Sequence, residues 1–219
     1  LFMKEHEQFQ VAIERTHTAA VQVKYRADTL TNANHYDPQA IADIADDVTK
    51  KWQQLVTCAE DRYKLMKSGM NFFKTAEQVC SVLDSLEKEY KREEDWCAGG
   101  GNSEKAQIIV QLISKHQEQK EAFLKACTLA RRTAETFLKF ISRAYQFYNI
   151  ASPGTSEARV KSILDNLLSQ ENHVLEYWTQ RKKAFDQCQQ YVLFERSAKQ
   201  AIEWIHDTGE AYLTSRASK

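Results

Sequence analysis

The sequence predicts an all-α protein made of a few long helices, and three observations support this. The 219 residues include only 6 glycines and 2 prolines, whereas a β or α/β protein uses many of both in its tight turns. Only three short stretches carry turn signals. Between them, apolar residues recur with the period of packed helices and not with the alternation of strands.

The first helix is predicted over residues 2–33, where the first turn signal begins. In that turn we expect Asp37 to cap the next helix, and Pro38 suits the first helical position because its missing N–H would be unpaired there. The second helix is predicted over 38–97. Steps of three and four residues from Ile41 to Glu93 meet twelve apolar residues in sixteen positions, where composition gives about seven. This seam, the helix face that packs against partner helices, passes Gly69 unbroken and predicts a continuous helix there.

Two further turns separate the remaining helices. Gly99–Gly101 with Ser103 as a cap precedes a third helix predicted over 104–149. The Pro153–Gly154 turn precedes a fourth, predicted over 156–213. Their apolar seams have the same period as that of the second helix, so all four segments are expected to pack as left-handed helical bundles.

The helices also form an internal repeat. The second and fourth seams superpose at a shift of 119 residues, which pairs Arg62 with Arg181. The first and third superpose at a shift of about 110 residues, which pairs His6 with His116. A repeat of long helices predicts a tandem array, expected to be an elongated rod.

Several stretches resemble spectrin repeats, three-helix units (A, B, C) joined by helical linkers. Leu1–Phe9 resembles the start of a B helix, Lys51–Leu55 part of a C helix, and Ala201–Ile205 part of an A helix. Trp204 follows Phe194 by ten residues, as the A-helix tryptophan of that family does. In the preceding A helix the same spacing runs from Phe73 to Leu83, which departs from the family.

Longer stretches resemble the spectrin-repeat array of the Trio and kalirin family of Rho guanine-nucleotide exchange factors. These stretches are Glu77–Leu83, Glu89–Cys97, Glu118–Arg132 and Asp186–Ala201. The resemblance implies helices B and C of one repeat over 1–69, and helix A of a following repeat over 191–219. Between them it implies a complete repeat over 70–190, with helix A at 70–97, helix B at 104–149 and helix C at 156–190.

The same resemblance implies a non-catalytic scaffold and spacer of a cytosolic exchange factor in cytoskeletal and axon-guidance signalling. Its expected partners are proteins: cytoskeletal components, membrane-receptor tails, or the exchange domain of the same polypeptide, which the repeats would autoinhibit. A monomeric, cytoplasmic rod recruited to the membrane cortex or cytoskeleton is expected. The alternative is a membrane- or lipid-binding helical bundle, which the even charge disfavours.

Charge and composition exclude other classes. The 30 basic and 30 acidic residues cancel, which argues against a nucleic-acid partner because phosphates attract basic proteins. No run of 18 apolar residues is present, so no membrane insertion is expected. Five cysteines in an odd, scattered pattern predict reduced thiols and no disulfide framework.

For each candidate metal site, the sequence favours a purely structural role over metal binding. His6 and His116 have no Cys or His three or four residues away, so packed core or rim histidines are favoured over metal ligands. Four side chains share one face of the last helix, where a solvated face is favoured over a divalent-ion site. They are Glu203, His206, Asp207 and Glu210.

The charged clusters are expected to be solvated surface. Lys91–Asp95 is interpreted as a charge ladder on a helix, with partner contact as the alternative. Arg131–Arg132 and Arg181–Lys183 are basic clusters whose charge is offset by acidic neighbours. A phosphoinositide or acidic partner is therefore the less favoured interpretation of both clusters.

No catalytic arrangement emerges from the remaining residues. Cys127 and Cys188 lie in apolar seams and are expected to be inert thiols. Gly99–Gly101 lacks the Lys that completes a phosphate loop. We therefore predict no catalytic, cofactor-binding or metal-binding residues, no cofactor and no enzymatic activity. Four tryptophans are expected to anchor helices to each other: Trp52, Trp96, Trp178 and Trp204.

Overall fold

The computed structural model describes residues 2–94, 97, 102–148 and 154–217. Four long helices account for most of them: α1 (Phe2–Asn32), α2 (Pro38–Tyr90), α3 (Asn102–Tyr148) and α4 (Gly154–Trp204). A π-helical turn, Ile205–Glu210, and a short helix α5, Ala211–Ala217, follow. No strand occurs among the described residues. The all-α fold class is confirmed.

The turn between α1 and α2 has a specific geometry. Asn34 has a φ of 59°, the left-handed conformation that often ends a helix. Its N–H donates to the carbonyl of Thr31, and that of His35 donates to the carbonyl of Leu30, which together make a Schellman motif. On the other side, the Asp37 carboxylate accepts the N–H of Ala40 at 3.1 Å, which confirms the predicted cap.

The α2 helix continues through Gly69, as predicted. Gly69 is buried against Phe137 of α3, and a Cβ at this position would lie 2.9 Å from the Phe137 ring. Glycine therefore lets the ring approach the helix backbone closely. The apolar pattern predicted the continuity, but nothing in it showed the aromatic ring that requires a glycine.

Contacts divide the chain into two units. Unit 1 comprises residues 1–75 and 132–162, and unit 2 comprises 76–131 and 163–219. The divisions fall within α2, α3 and α4, so each of these helices contributes residues to both units. The predicted divisions at 69 and 190 stay a prediction.

In unit 2, portions of α2, α3 and α4 pack together. The α3 helix runs antiparallel to α2 and to α4, whereas α2 and α4 run parallel to each other. The fully buried side chains include Leu83, Phe123 and Val174. A cluster near the start of α3 joins Ile109 to Phe185 and neighbouring apolar residues of α4.

In unit 1, α1 runs antiparallel to α2. The His6 ring lies 5.6 Å from that of Tyr63, and the His17 ring lies 4.6 Å from that of Trp52. Phe72 is fully buried and lies 6.2 Å from Phe137, ring centroid to ring centroid.

The predicted seams are buried unevenly. The seam of α3 is buried or half-buried along its described side chains, Ile109 to Ala144. In α2, by contrast, Ile44 is 62% exposed, and near the end of α4 Ile202 is 64% exposed. These positions keep the predicted period without being covered.

The largest difference between a predicted and an observed helix end is at the C-terminal end of α2. The α2 helix ends at Tyr90, not at 97, and residues 92–94 are not helical. The Lys91–Asp95 interpretation as a helical charge ladder is therefore wrong for its described part. Asp95, Trp96 and Gly99–Gly101, the Ser103 side chain, and Pro153 lie outside the described residues.

Candidate functional site

His116 and Trp178 form a reciprocal contact between α3 and α4. The Trp178 indole N–H donates to the carbonyl of His116 at 2.8 Å. His116 Nε2 lies 2.9 Å from the carbonyl of Trp178, so it must carry the proton and donate. The two rings stack at 4.8 Å with 7° between their planes. Burial lowers the pKa of His116, which favours the neutral ring.

Near this contact, Arg181 of α4 binds the C-terminal end of α2. The Arg181 guanidinium donates to the carbonyl of Glu89 and lies 5.8 Å from the centre of the Tyr90 ring. A cation at this end complements the helix dipole. The Glu89 carbonyl also accepts the N–H of Arg92, just beyond the helix, at 3.2 Å. Burial, together with the Glu89 carboxylate, raises the pKa of Tyr90 to about 12.

The predicted basic cluster at Arg181–Lys183 is therefore not a continuous surface patch. Lys182 pairs with Asp186 at 2.6 Å, and Lys183 is exposed. Lys91, just beyond α2, pairs with Glu87 at 2.5 Å and lies 4.7 Å from the centre of the Tyr177 ring. Arg181, Lys182 and Lys91 therefore contact groups of unit 2 rather than forming a basic surface.

Arg131 and Arg132 have separate surroundings. Arg131 donates to the buried Glu171 carboxylate at 2.6 Å, and this hydrogen bond raises the pKa of the guanidinium. Arg132 instead lines a shallow pocket of about 140 Å³ between α2 and α3 in unit 1. The other lining residues are hydroxyls and an amide: Ser68, Asn71, Thr133 and Thr136.

Cys127 is buried, as predicted, and its thiol is a poor nucleophile. Burial, then the charge of Glu171, raises its pKa to about 11. Little thiolate is present at neutral pH, and the thiolate is the reactive form.

The prediction that all cysteines are free is wrong for two of them. Cys97 and Cys188 form a disulfide across a separation of 91 residues, with their Cα atoms 5.9 Å apart. Cys188 belongs to the apolar cluster around Ile109, so burial in the seam also brings it to Cys97. The other thiols, Cys58, Cys80 and Cys127, are free.

The two histidines at equivalent repeat positions lie in different units, His6 in unit 1 and His116 in unit 2, and both are buried. His6 is buried, and neither of its ring nitrogens has a hydrogen-bond partner. Of the four side chains considered as a divalent-ion site near the end of the chain, His206 pairs with Glu210 at 2.8 Å. Within the described ranges, no three His, Cys, Asp or Glu residues are grouped to hold a metal ion.

The tryptophans differ in their surroundings. Trp178 is buried and Trp52 is half-buried, in agreement with anchors between helices. Trp204 is 64% exposed, so it anchors no other helix among the described residues, and its predicted role stays a prediction. It lies where α4 meets the π-helical turn, in a stretch whose apolar residues are exposed.

Comparisons with known proteins add no assignment, since the sequence matches no protein-family model and the chain matches no solved structure. No described helix is both long and apolar enough to cross a membrane.

Proposed function

We propose that this chain is a non-catalytic scaffold and spacer segment of a Rho-family guanine-nucleotide exchange factor. The observation that carries the proposal is α2, a helix of 53 residues that continues through Gly69 and contributes to two compact units. We infer that such a helix connects neighbouring bundles, which is what a spacer requires.

The finer architecture proposed is a tandem array of spectrin repeats. Its three-helix bundles would be left-handed, its linkers helical and its overall form a rod. The antiparallel packing of α3 on α2 and on α4 supports this, since helices A, B and C alternate in direction within such a repeat. The family named in this proposal rests on the sequence stretches that resemble its spectrin repeats.

Burial at equivalent seam positions supports the proposed repeat boundaries. Leu83 of α2 is fully buried, whereas its equivalent Ile202 is 64% exposed. Val174 of α4 is likewise fully buried, and its equivalent Leu55 is 37% exposed. We infer that residues 191–217 form helix A of a following repeat, whose apolar face is not covered by the described helices.

The proposed partners are proteins that dock on exposed surfaces of the repeats, including cytoskeletal proteins or receptor tails. Contact with the exchange domain of the same polypeptide would lower its activity and make the segment an autoinhibitor. The proposed location is the cytoplasm, with recruitment to the cortex or cytoskeleton during axon guidance.

The proposal is tested by nucleotide exchange on a Rac-type GTPase. Three forms of the parent polypeptide are compared: intact, lacking residues 1–219, and with these residues replaced by an unrelated single-helix spacer. An autoinhibitory segment gives faster exchange in both altered forms. A spacer gives a changed rate on deletion that the unrelated helix restores. Equal rates in all three forms would contradict both roles.

A further inference from the structure

The neutral chain contains a strongly basic region in unit 1. Three helix portions, residues 62–75 of α2, 132–148 of α3 and 154–162 of α4, contain nine basic and two acidic residues. The basic residues are Arg62, Lys64, Lys67, Lys74, Arg132, Lys139, Arg143, Arg159 and Lys161, and the acidic ones are Glu135 and Glu157. The even charge of the whole sequence conceals this excess.

The three portions pack against each other, so the excess is concentrated in space. Phe137 of α3 contacts Gly69 of α2, and Arg159 of α4 lies 5.4 Å from the centre of the Phe73 ring. At one end Arg143 pairs with Asp61 at 3.5 Å. Concentrated charge of one sign attracts an oppositely charged ligand over a distance set by ionic strength.

The pocket between α2 and α3 lies in this region. Ser68 and Asn71 line it from α2, and Arg132, Thr133 and Thr136 line it from α3. None of the described carboxylates lies within ion-pairing distance of Arg132, whereas the neighbouring Arg131 pairs with Glu171. Arg132 thus brings a guanidinium without a carboxylate partner to a pocket of hydroxyl and amide groups.

This combination of groups suits a phosphate. A guanidinium donates several hydrogen bonds in a planar fork that matches phosphate oxygens. The Ser68 hydroxyl now donates to the carbonyl of Leu65 at 2.9 Å, and that of Thr136 to the carbonyl of Arg132 at 3.0 Å. Each hydroxyl would exchange that bond within the helix for a stronger, charge-assisted bond to the anion.

We propose that this pocket and the surrounding basic region bind a phosphate-monoester anion with several phosphate groups. One phosphate enters the pocket between Arg132 and Asn71, and the others contact the flanking lysines. An inositol polyphosphate has this chemistry, either free in solution or as the headgroup of an anionic lipid. The site goes beyond the proposed spacer role and does not depend on it.

Titration calorimetry with inositol hexakisphosphate at physiological ionic strength tests the proposal. The 219-residue chain is expected to give saturable binding. Arg132→Gln is expected to weaken it about tenfold, because a hydrogen bond to a charged group is worth that much. Ser68→Ala is expected to have a smaller effect in the same direction. The matched control is Lys24→Gln, which removes an exposed positive charge from α1 outside the region.

Vesicle sedimentation then distinguishes the two sources. Binding to vesicles with a phosphoinositide, but not to phosphatidylserine vesicles of equal charge, indicates the lipid headgroup. Binding only to the soluble probe indicates the free anion. Absence of saturable binding would overturn the proposal, and so would equal losses in Arg132→Gln and Lys24→Gln. Circular dichroism of each variant shows whether it is folded as the parent chain is.

Discussion

At the scale of single residues, unit 2 is held together by polar groups inside apolar packing. The His116 and Trp178 contact satisfies two ring N–H groups and two backbone carbonyls at once. Arg181 and Glu171 are each paired across helices. Because an unpaired buried polar group costs about 1–3 kcal/mol, these pairs favour one alignment of the helices over others.

The His116 ring makes the stability of the protein depend on pH. Its pKa in the folded protein is lowered, chiefly by burial, so the unfolded chain binds a proton more readily. Below the ordinary value of about 6.5, the unfolded state gains that proton first and the free energy of unfolding falls. The limiting slope for one proton is about 1.4 kcal/mol per pH unit.

Urea unfolding at pH 7.5 and pH 5.5 measures this dependence. The parent chain is expected to lose more stability between the two values than His116→Gln, which cannot titrate there. Equal losses in both proteins would show that His116 is not the group responsible.

The disulfide is tested by counting thiols. Denatured, unreduced protein is expected to take up iodoacetamide at three cysteines, and at all five after reduction, with Cys97 and Cys188 as the added sites. Five alkylated thiols without reductant would contradict the bond. Since disulfides are rare in the cytosol, the count on protein taken from cells also tests the proposed cytoplasmic location.

At the scale of helices, the sequence predicts best where packing is complete. The apolar period of α3 predicted its buried face along the described length because partner helices cover both halves. The same period in α2 and α4 failed at Ile44 and Ile202, since periodicity reports which residues share a face and not whether that face is covered. The Cys97–Cys188 pair was hidden because its two residues are 91 apart in sequence.

The end of α2 was misplaced for a different reason. Lys91–Glu94 consists of residues with good helix propensity, so nothing local predicted a stop at Tyr90. At the end of α2 the structure has a tertiary contact, in which Arg181 of α4 donates a hydrogen bond to the carbonyl of Glu89. A contact between residues so far apart in sequence cannot be derived from propensity.

Gly69 in α2 provides a direct test of helix packing. Gly69→Ala gains about 1 kcal/mol of helix propensity, but its Cβ would lie 2.9 Å from the Phe137 ring. Overpacking a well-packed site costs about 1–3 kcal/mol, so we expect a net loss of about 1 kcal/mol in the free energy of unfolding.

The matched control is Gly209→Ala, where no described atom lies within 4 Å of the added Cβ and no loss is expected. Combining Gly69→Ala with Phe137→Leu should recover part of the loss, measured as a coupling energy in chemical denaturation. If Gly69→Ala stabilised the chain, the close approach of the Phe137 ring would be contradicted.

At the scale of the whole molecule, the proposed spacer depends on the helices that contribute to both units. The proposal requires that α2 be one stiff element, and it assigns the exposed apolar residues near the end of α4 to a further repeat. Neither the family nor the repeat boundaries follow from the apolar period of the helices, because many helical bundles share that period.

The most direct test measures a distance along α2 in solution. Spin labels are placed on unnatural amino acids at Lys50 and Lys88, both exposed, so that the native cysteines stay unchanged. An unbroken helix predicts a narrow distribution near about 57 Å, at 1.5 Å per residue. The control pair, Lys50 and Lys64, should give about 21 Å. A broad or much shorter distance for the first pair, with the control as expected, would show a break near Gly69 and contradict the spacer.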